Sequence, residues 1–173
     1  MAKNLYIERY LNLSGLLEKK SYFLLGPRQT GKTSLIKQTL SGFRTYNLLD
    51  HDVFLKLSQS PKRLRQEITA DEKIVIIDEI QKLPVLLDEV HYLIEEKGIH
   101  FLLTGSSARK LRRGGVNLLG GRARVQHLGP FVSAELDTQF DLMKAVNDGL
   151  LPSIYFSGQP QEDLRTYVGT YLQ

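Results

Sequence analysis

The stretch Tyr22-Phe23-Leu24-Leu25-Gly26-Pro27-Arg28-Gln29-Thr30-Gly31-Lys32-Thr33 decides the fold. Four apolar residues read as a buried strand and run straight into a loop of the form G-x-x-x-x-G-K-T. Each fixed position of that loop answers a demand of a polyphosphate. Gly26 and Gly31 permit backbone conformations and a close approach that a side chain would block. Successive N–H groups then turn inward as an anion nest at the start of a helix, where the dipole also favours negative charge. Lys32 brings a point charge to the β- and γ-phosphates, and the Thr33 hydroxyl suits Mg²⁺. Gly26, Pro27, Arg28, Gln29, Thr30, Gly31, Lys32 and Thr33 together form the candidate nucleotide-binding loop, in which Arg28 either touches nucleotide or projects to solvent.

Outward from this loop, short apolar runs alternate with helix-like spacing. Thr33 to Leu40 reads as a helix, with Gly42 just past its end. Arg44 to Leu49 reads as a strand, and Ser60-Pro61 opens a polar helix through Ile68. Lys73-Ile74-Val75-Ile76-Ile77-Asp78 is a continuous apolar run ending in an acid, the pattern of a central strand buried on both faces of a parallel sheet. Pro84 opens a helix with Leu87, Val90 and Ile94 at 3–4 spacing, and Gly98 closes it. His100 to Thr104 and Arg124 to Leu128 complete the set of strands. Strands alternating with helices imply an α/β fold. The expected organisation is a lead-in helix in residues 1–20, a nucleotide-binding core in 21–150, and a helical region in 151–173. There Leu164, Tyr167, Val168, Tyr171 and Leu172 share a helical face, and a chain stopping within that stripe reads as a fragment of a longer protein.

Two further motifs carry chemistry. Asp78 ends its strand at the carboxyl edge of the sheet, where open α/β folds bind ligands, and is placed to hold Mg²⁺ together with Thr33. Glu79 follows it and can polarise a water for in-line attack, which makes water the expected nucleophile. The competing reading is that both acids merely end a strand. In Leu103-Thr104-Gly105-Ser106-Ser107 a hydroxyl can contact the γ-phosphate or the attacking water; Thr104 is the candidate and Ser106 its rival, with helix capping the alternative use of Ser106 and Ser107. Asp50 and Asp52 read as caps of the segment that follows them, and His91, His100 and His127 have no metal-ligand spacing.

The formal charge of +4 says little by itself, but its distribution is uneven. No acid lies between Glu96 and Glu135, while Arg109, Lys110, Arg112, Arg113, Arg122 and Arg124 are basic. An arginine here could neutralise charge on a transferred phosphoryl group in its own chain or a neighbour's; Arg122 is the first candidate and Arg109 the second. The region Arg109–Arg124 could instead contact nucleic-acid phosphates, or be a solvated charged face. Without cysteine the chain can form no disulfide or thiolate metal site. Its apolar bursts are far below the roughly 20 residues of a spanning helix, and its N-terminus lacks the apolar stretch of a secretory signal, so a cytoplasmic setting without membrane contact is expected.

The four runs Gly26–Thr33, Ile77-Asp78-Glu79-Ile80-Gln81-Lys82-Leu83-Pro84, Leu103-Thr104-Gly105-Ser106-Ser107-Ala108-Arg109-Lys110-Leu111 and Leu118-Leu119-Gly120-Gly121-Arg122-Ala123 together resemble the prokaryotic AAA-like ATPases that carry a C-terminal domain of unknown function. The resemblance implies a P-loop three-layer sandwich with parallel strands in the order 5-1-4-3-2, ATP or ADP and Mg²⁺ as ligands, and hydrolysis assisted by the acid at Glu79. It also implies a partner in the chain's own C-terminal domain, and it leaves homo-oligomers open. No helical lid able to supply a further arginine is evident in the sequence. Among other activities, a small-molecule kinase is disfavoured by an acid pair suited to water, and a GTPase by the absence of an Asn-Lys-x-Asp signature.

Overall fold

The computed structural model describes residues 6–106 and 119–171. Five strands, β1 (Ser21–Leu25), β2 (Arg44–Asn47), β3 (Ile74–Asp78), β4 (His100–Gly105) and β5 (Ala123–His127), form one sheet in the order β2-β3-β4-β1-β5. Every pairing is parallel. This is the order 5-1-4-3-2 that the resemblance implied. Parallel neighbours need crossovers, and helices supply them on both faces.

Strand periodicity sorts the core into two layers. Phe23, Leu25, Val75, Ile77, Phe101 and Leu103 point to one face, where they meet Leu57 of α3 (His51–Gln59), Leu64 of α4 (Arg63–Glu67) and Leu87, Val90 and Leu93 of α5 (Leu86–Lys97). Tyr22, Leu24, Ile74, Ile76 and Leu102 point to the other, against Leu13 and Leu17 of α1 (Leu13–Leu17) and Leu35 and Ile36 of α2 (Lys32–Thr39). The central strands therefore carry continuous apolar runs because neither face meets water.

Helix boundaries follow local chemistry. Asp50 accepts N–H bonds from Asp52 (2.9 Å) and Val53 (3.3 Å), capping α3. That helix lies in a stretch for which the sequence reading assigned only the caps. The helix expected from Ser60-Pro61 forms only as α4, from Arg63. Gly98 closes α5 in the left-handed conformation (φ 61°). Among the described residues of the expected lead-in segment, α1 is the helix, five residues long.

After β5 the chain forms α6 (Ser133–Leu136), α7 (Leu142–Asp148), α8 (Pro152–Tyr155) and α9 (Pro160–Tyr171). Ile7, Phe131, Leu136 and Tyr155 make a third apolar cluster that ties the lead-in segment to these helices. No described helix is long and apolar enough to cross a membrane.

Ile77 is fully buried within the larger cluster, so Ile77→Ala leaves a cavity between β3 and the α3–α5 layer. Urea denaturation should show a loss of about 2–5 kcal/mol.

Candidate functional site

Parallel register gathers the strand ends on one edge. Ile77 lies beside Leu103, so Asp78 at the end of β3 stands next to Thr104 on β4. β1 flanks β4 on its other side and delivers the glycine loop to the same place.

The loop is pinned at its first residue. Gly26 N–H bonds Gly105 O at 3.3 Å, and Leu128 N–H bonds Leu25 O at 2.8 Å. A Cβ at Gly26 would come within 2.1 Å of the Leu128 carbonyl oxygen, so no side chain fits. Thr30, fully buried, closes the loop through its hydroxyl to Pro27 O at 2.9 Å. Gly31 caps α2 with φ 86°, a conformation that costs other residues energy. Gln29 is left-handed as well, at φ 64°.

Lys32 is buried and spans the loop, its Nζ donating to Gly26 O (2.7 Å) and Pro27 O (2.8 Å). Burial pulls its ammonium below the ordinary lysine value, the Glu79 and Asp78 carboxylates oppose this, and Arg28 adds to the lowering. The Thr33 hydroxyl donates to Asp78 Oδ2 at 3.2 Å. A hydroxyl and a carboxylate oxygen side by side are a donor set that fits Mg²⁺, which usually takes only one or two protein oxygens besides phosphate and water. No group of three or more His, Cys, Asp or Glu side chains able to hold a metal occurs among the described residues.

Thr104 bridges Asp78 and the backbone of Glu79. It is wholly buried, donates to Asp78 Oδ1, and accepts the Glu79 N–H at 3.0 Å. These bonds hold the Asp78 carboxylate and the Glu79 backbone in place. Ser106, half-buried, lies just beyond β4.

Glu79 leaves the strand in the left-handed region, φ 62° and ψ 45°. Such a backbone costs a side-chain-bearing residue roughly 1–2 kcal/mol. The Gln81 carboxamide donates to Glu79 Oε2 and lies against Gly105, where a Cβ would meet Gln81 Oε1 at 2.6 Å.

Arg122 does not join this constellation. Ala123 pairs with Ser21 at the start of both strands, which puts Arg122 at the opposite edge of the sheet, about 16 Å along the strand from the nucleotide end at roughly 3.3 Å per residue. There its Nε donates to Glu95 of α5. An action of Arg122 on its own chain's loop is thereby corrected by the register. Arg109, Lys110, Arg112, Arg113 and Ser107 lie outside the described residues.

The helices after β5 contact the loop, a lid-like arrangement that the sequence reading did not anticipate. Ser153 of α8 donates to Gln29 Oε1 at 2.7 Å, and Pro152 lies 4.0 Å from a Cβ built on Gly31. On α9, Tyr167 and Tyr171 stack at 4.9 Å, and the Arg28 guanidinium lies 5.2 Å from the Tyr171 ring centre. Pro152 and Pro160 each open a helix, α8 and α9, and the contacts of these helices with the loop join residues more than 100 positions apart.

Sequence reading also missed Arg9. Its guanidinium is almost fully buried, pairs with Glu135 (2.9 Å), and bonds Thr30 O (2.8 Å), Gly129 O (2.9 Å) and Pro130 O (3.1 Å).

A family model described as the AAA domain matches residues 18–136. The chain belongs to this AAA domain family. It is an AAA-like P-loop ATPase domain. Among solved structures, the replication initiator DnaA bound to AMPPCP and single-stranded DNA is similar, with 15% identity, a TM-score of 0.51, and coverage of 96% of this chain and 63% of that one. The PCH-2 structure from C. elegans is similar over 79% of this chain and 43% of that one, at 22% identity and a TM-score of 0.44. The chain spans about half the length of these two structures, and the likeness to DnaA concerns the fold alone. A search of curated proteins found no match.

Burial raises the Glu135 carboxyl, but Arg9 and the Tyr10 and Val132 N–H groups outweigh it and hold the carboxyl below the ordinary glutamate value of 4.5. A carboxyl depressed in the fold contributes its full stability above the unfolded value and loses it as pH falls through the folded one. Glu135→Gln should therefore lower the melting temperature at pH 7 and make little difference well below pH 4.5, which thermal scans across pH will show.

Proposed function

We propose that this domain binds ATP with Mg²⁺ and hydrolyses it, and that its nucleotide state sets the position of the helices after β5. The observation that carries this reading is the Thr33–Asp78 bond beside Lys32 and Glu79, at one edge of a parallel sheet. A phosphate loop, a hydroxyl–carboxylate pair and a second acid are the parts that in-line attack by water requires.

In this reading the N–H groups of residues 29–33 hold the β- and γ-phosphates, and Lys32 exchanges its bonds to Gly26 O and Pro27 O for bonds to phosphate oxygens. Thr33 and Asp78 would hold Mg²⁺, which supplies charge neutralisation on the phosphates. Glu79 polarises the attacking water, with its backbone fixed by Thr104. A change in the loop reaches α8 through Gln29 and Ser153, and α9 through Arg28 and Tyr171. A C-terminal domain following α9 would receive that movement. A cytoplasmic setting agrees with ATP as ligand.

Lys32→Met should abolish nucleotide binding in titration calorimetry while leaving the melting temperature at or above the parent's, because burial disfavours the ammonium it removes. Glu79→Gln should bind ATP with near-parental affinity and lose hydrolysis by about 100-fold or more. Parental phosphate release by that variant would remove Glu79 from the mechanism.

With its own loop at the far edge, a role of Arg122 on phosphate would require a neighbouring subunit. Phosphate release per mole of protein should then rise with protein concentration and become flat in Arg122→Ala. A rate independent of concentration in the parent would remove the intersubunit role.

A further inference from the structure

The peptide unit joining Thr30 to Gly31 sits at the turn from loop to helix, and its two ends face opposite ways because the unit is planar and trans. Thr30 O points to Arg9 and accepts from its Nη1 at 2.8 Å. The N–H of Gly31 on the same plane therefore points away from Arg9. No intramolecular acceptor takes that N–H among the described residues. Gly31 has φ 86°, in a region where glycine has little steric preference, so sterics alone hold this plane weakly. Arg9 is the group bonded to it.

The arginine is built in for such a task. Its side chain is 5% exposed and that of its partner Glu135 is 6% exposed. Glu135 takes Arg9 Nε, while Gly129 O and Pro130 O take Nη2, so the fork is locked on three sides and its remaining arm reaches the loop. The Phe131 ring lies 5.1 Å from its Cζ. Arg9 lies ahead of residues 18–136, the part of the chain that the family model spans.

We infer that Arg9 is a positioning residue for phosphate binding: it fixes the Thr30–Gly31 peptide from behind so that the Gly31 N–H faces the polyphosphate. The positive charge behind the carbonyl also polarises the unit and strengthens the N–H as a donor. The ligand class is any di- or triphosphate, so inorganic pyrophosphate reads the effect without base or ribose. The inference rests on the nucleotide-binding reading above.

The test is calorimetric titration of the full chain with ATP and with pyrophosphate. Arg9→Met should weaken both by a similar factor of about 10–100, the value of one charge-assisted hydrogen bond. Arg9→Lys, which keeps the charge but cannot make all these bonds, should lie between parent and Arg9→Met. Leu13→Ala is the control for stability alone: it empties a buried position in the same lead-in segment, away from the loop, and should lower the melting temperature with both affinities unchanged. Parental pyrophosphate affinity in folded Arg9→Met overturns the inference, as does parental affinity in Arg9→Lys should the methionine variant not fold. Equal weakening by Leu13→Ala also overturns it, by showing a general loss of order. A parent that binds neither ligand overturns the nucleotide reading itself and this inference with it.

Discussion

The Leu128 carbonyl lies where a side chain at residue 26 would have to be, and the nucleotide edge is arranged around that contact. Gly26 N–H bonds β4 through Gly105 O, and the segment leaving β5 bonds β1 through Leu25 O. The first residue of the loop is thereby held between the two strands that flank β1. A loop fixed at its root can hold several N–H groups inward without help from regular secondary structure. Reorganisation on ligand binding is then small, and a preformed nest binds more tightly than one that must be ordered.

Buried polarity follows the same edge. The polar residues buried as a whole are Ser21, Thr30, Lys32, Asp78 and Thr104 among those described, and all but Ser21 belong to the loop or to the Asp78–Thr104 pair facing it. Each is partnered: Thr30 with Pro27 O, Lys32 with two carbonyls, Asp78 with two hydroxyls, and Thr104 with Asp78 and the Glu79 N–H. Unpaired, such groups would each cost on the order of 1–3 kcal/mol. The network keeps these buried polar groups paired at tolerable cost, at the edge where the loop meets β3 and β4.

Much of this was legible in the sequence, because its causes are local. Continuous apolar runs such as Ile74–Ile77 signal strands covered on both faces, and the glycine loop specifies its own geometry. Helix α3 was harder to see. Asp50 announced a cap, but only Val53 and Leu57 mark its inner face at helical spacing, amid polar neighbours. What stayed hidden depends on register and distant partners. Arg122 beside a glycine pair looked like a charge for the phosphate until the β1–β5 pairing placed it at the other edge. Arg9 joins groups 21 and 126 residues away, and no spacing rule reports such a meeting.

Glu79 shows how the fold tolerates a locally unfavourable choice. At φ 62° a glycine would be easier, yet the chain places a glutamate there. Two neighbours over-determine the conformation: the Thr104 hydroxyl fixes the Glu79 N–H from β4, and Gln81 holds the carboxylate while lying against Gly105. A side chain at Gly105 would displace the end of Gln81 from this position. Strain of this kind persists only where surrounding contacts outweigh it, and the inference runs from the observed outlier to a role for the strained group. A relaxed β-region backbone at residue 79 would continue β3 and leave the carboxylate standing on one face of the sheet. The left-handed turn instead ends the strand, and the Glu79 carboxylate lies near enough to Lys32 to oppose the lowering of its ammonium.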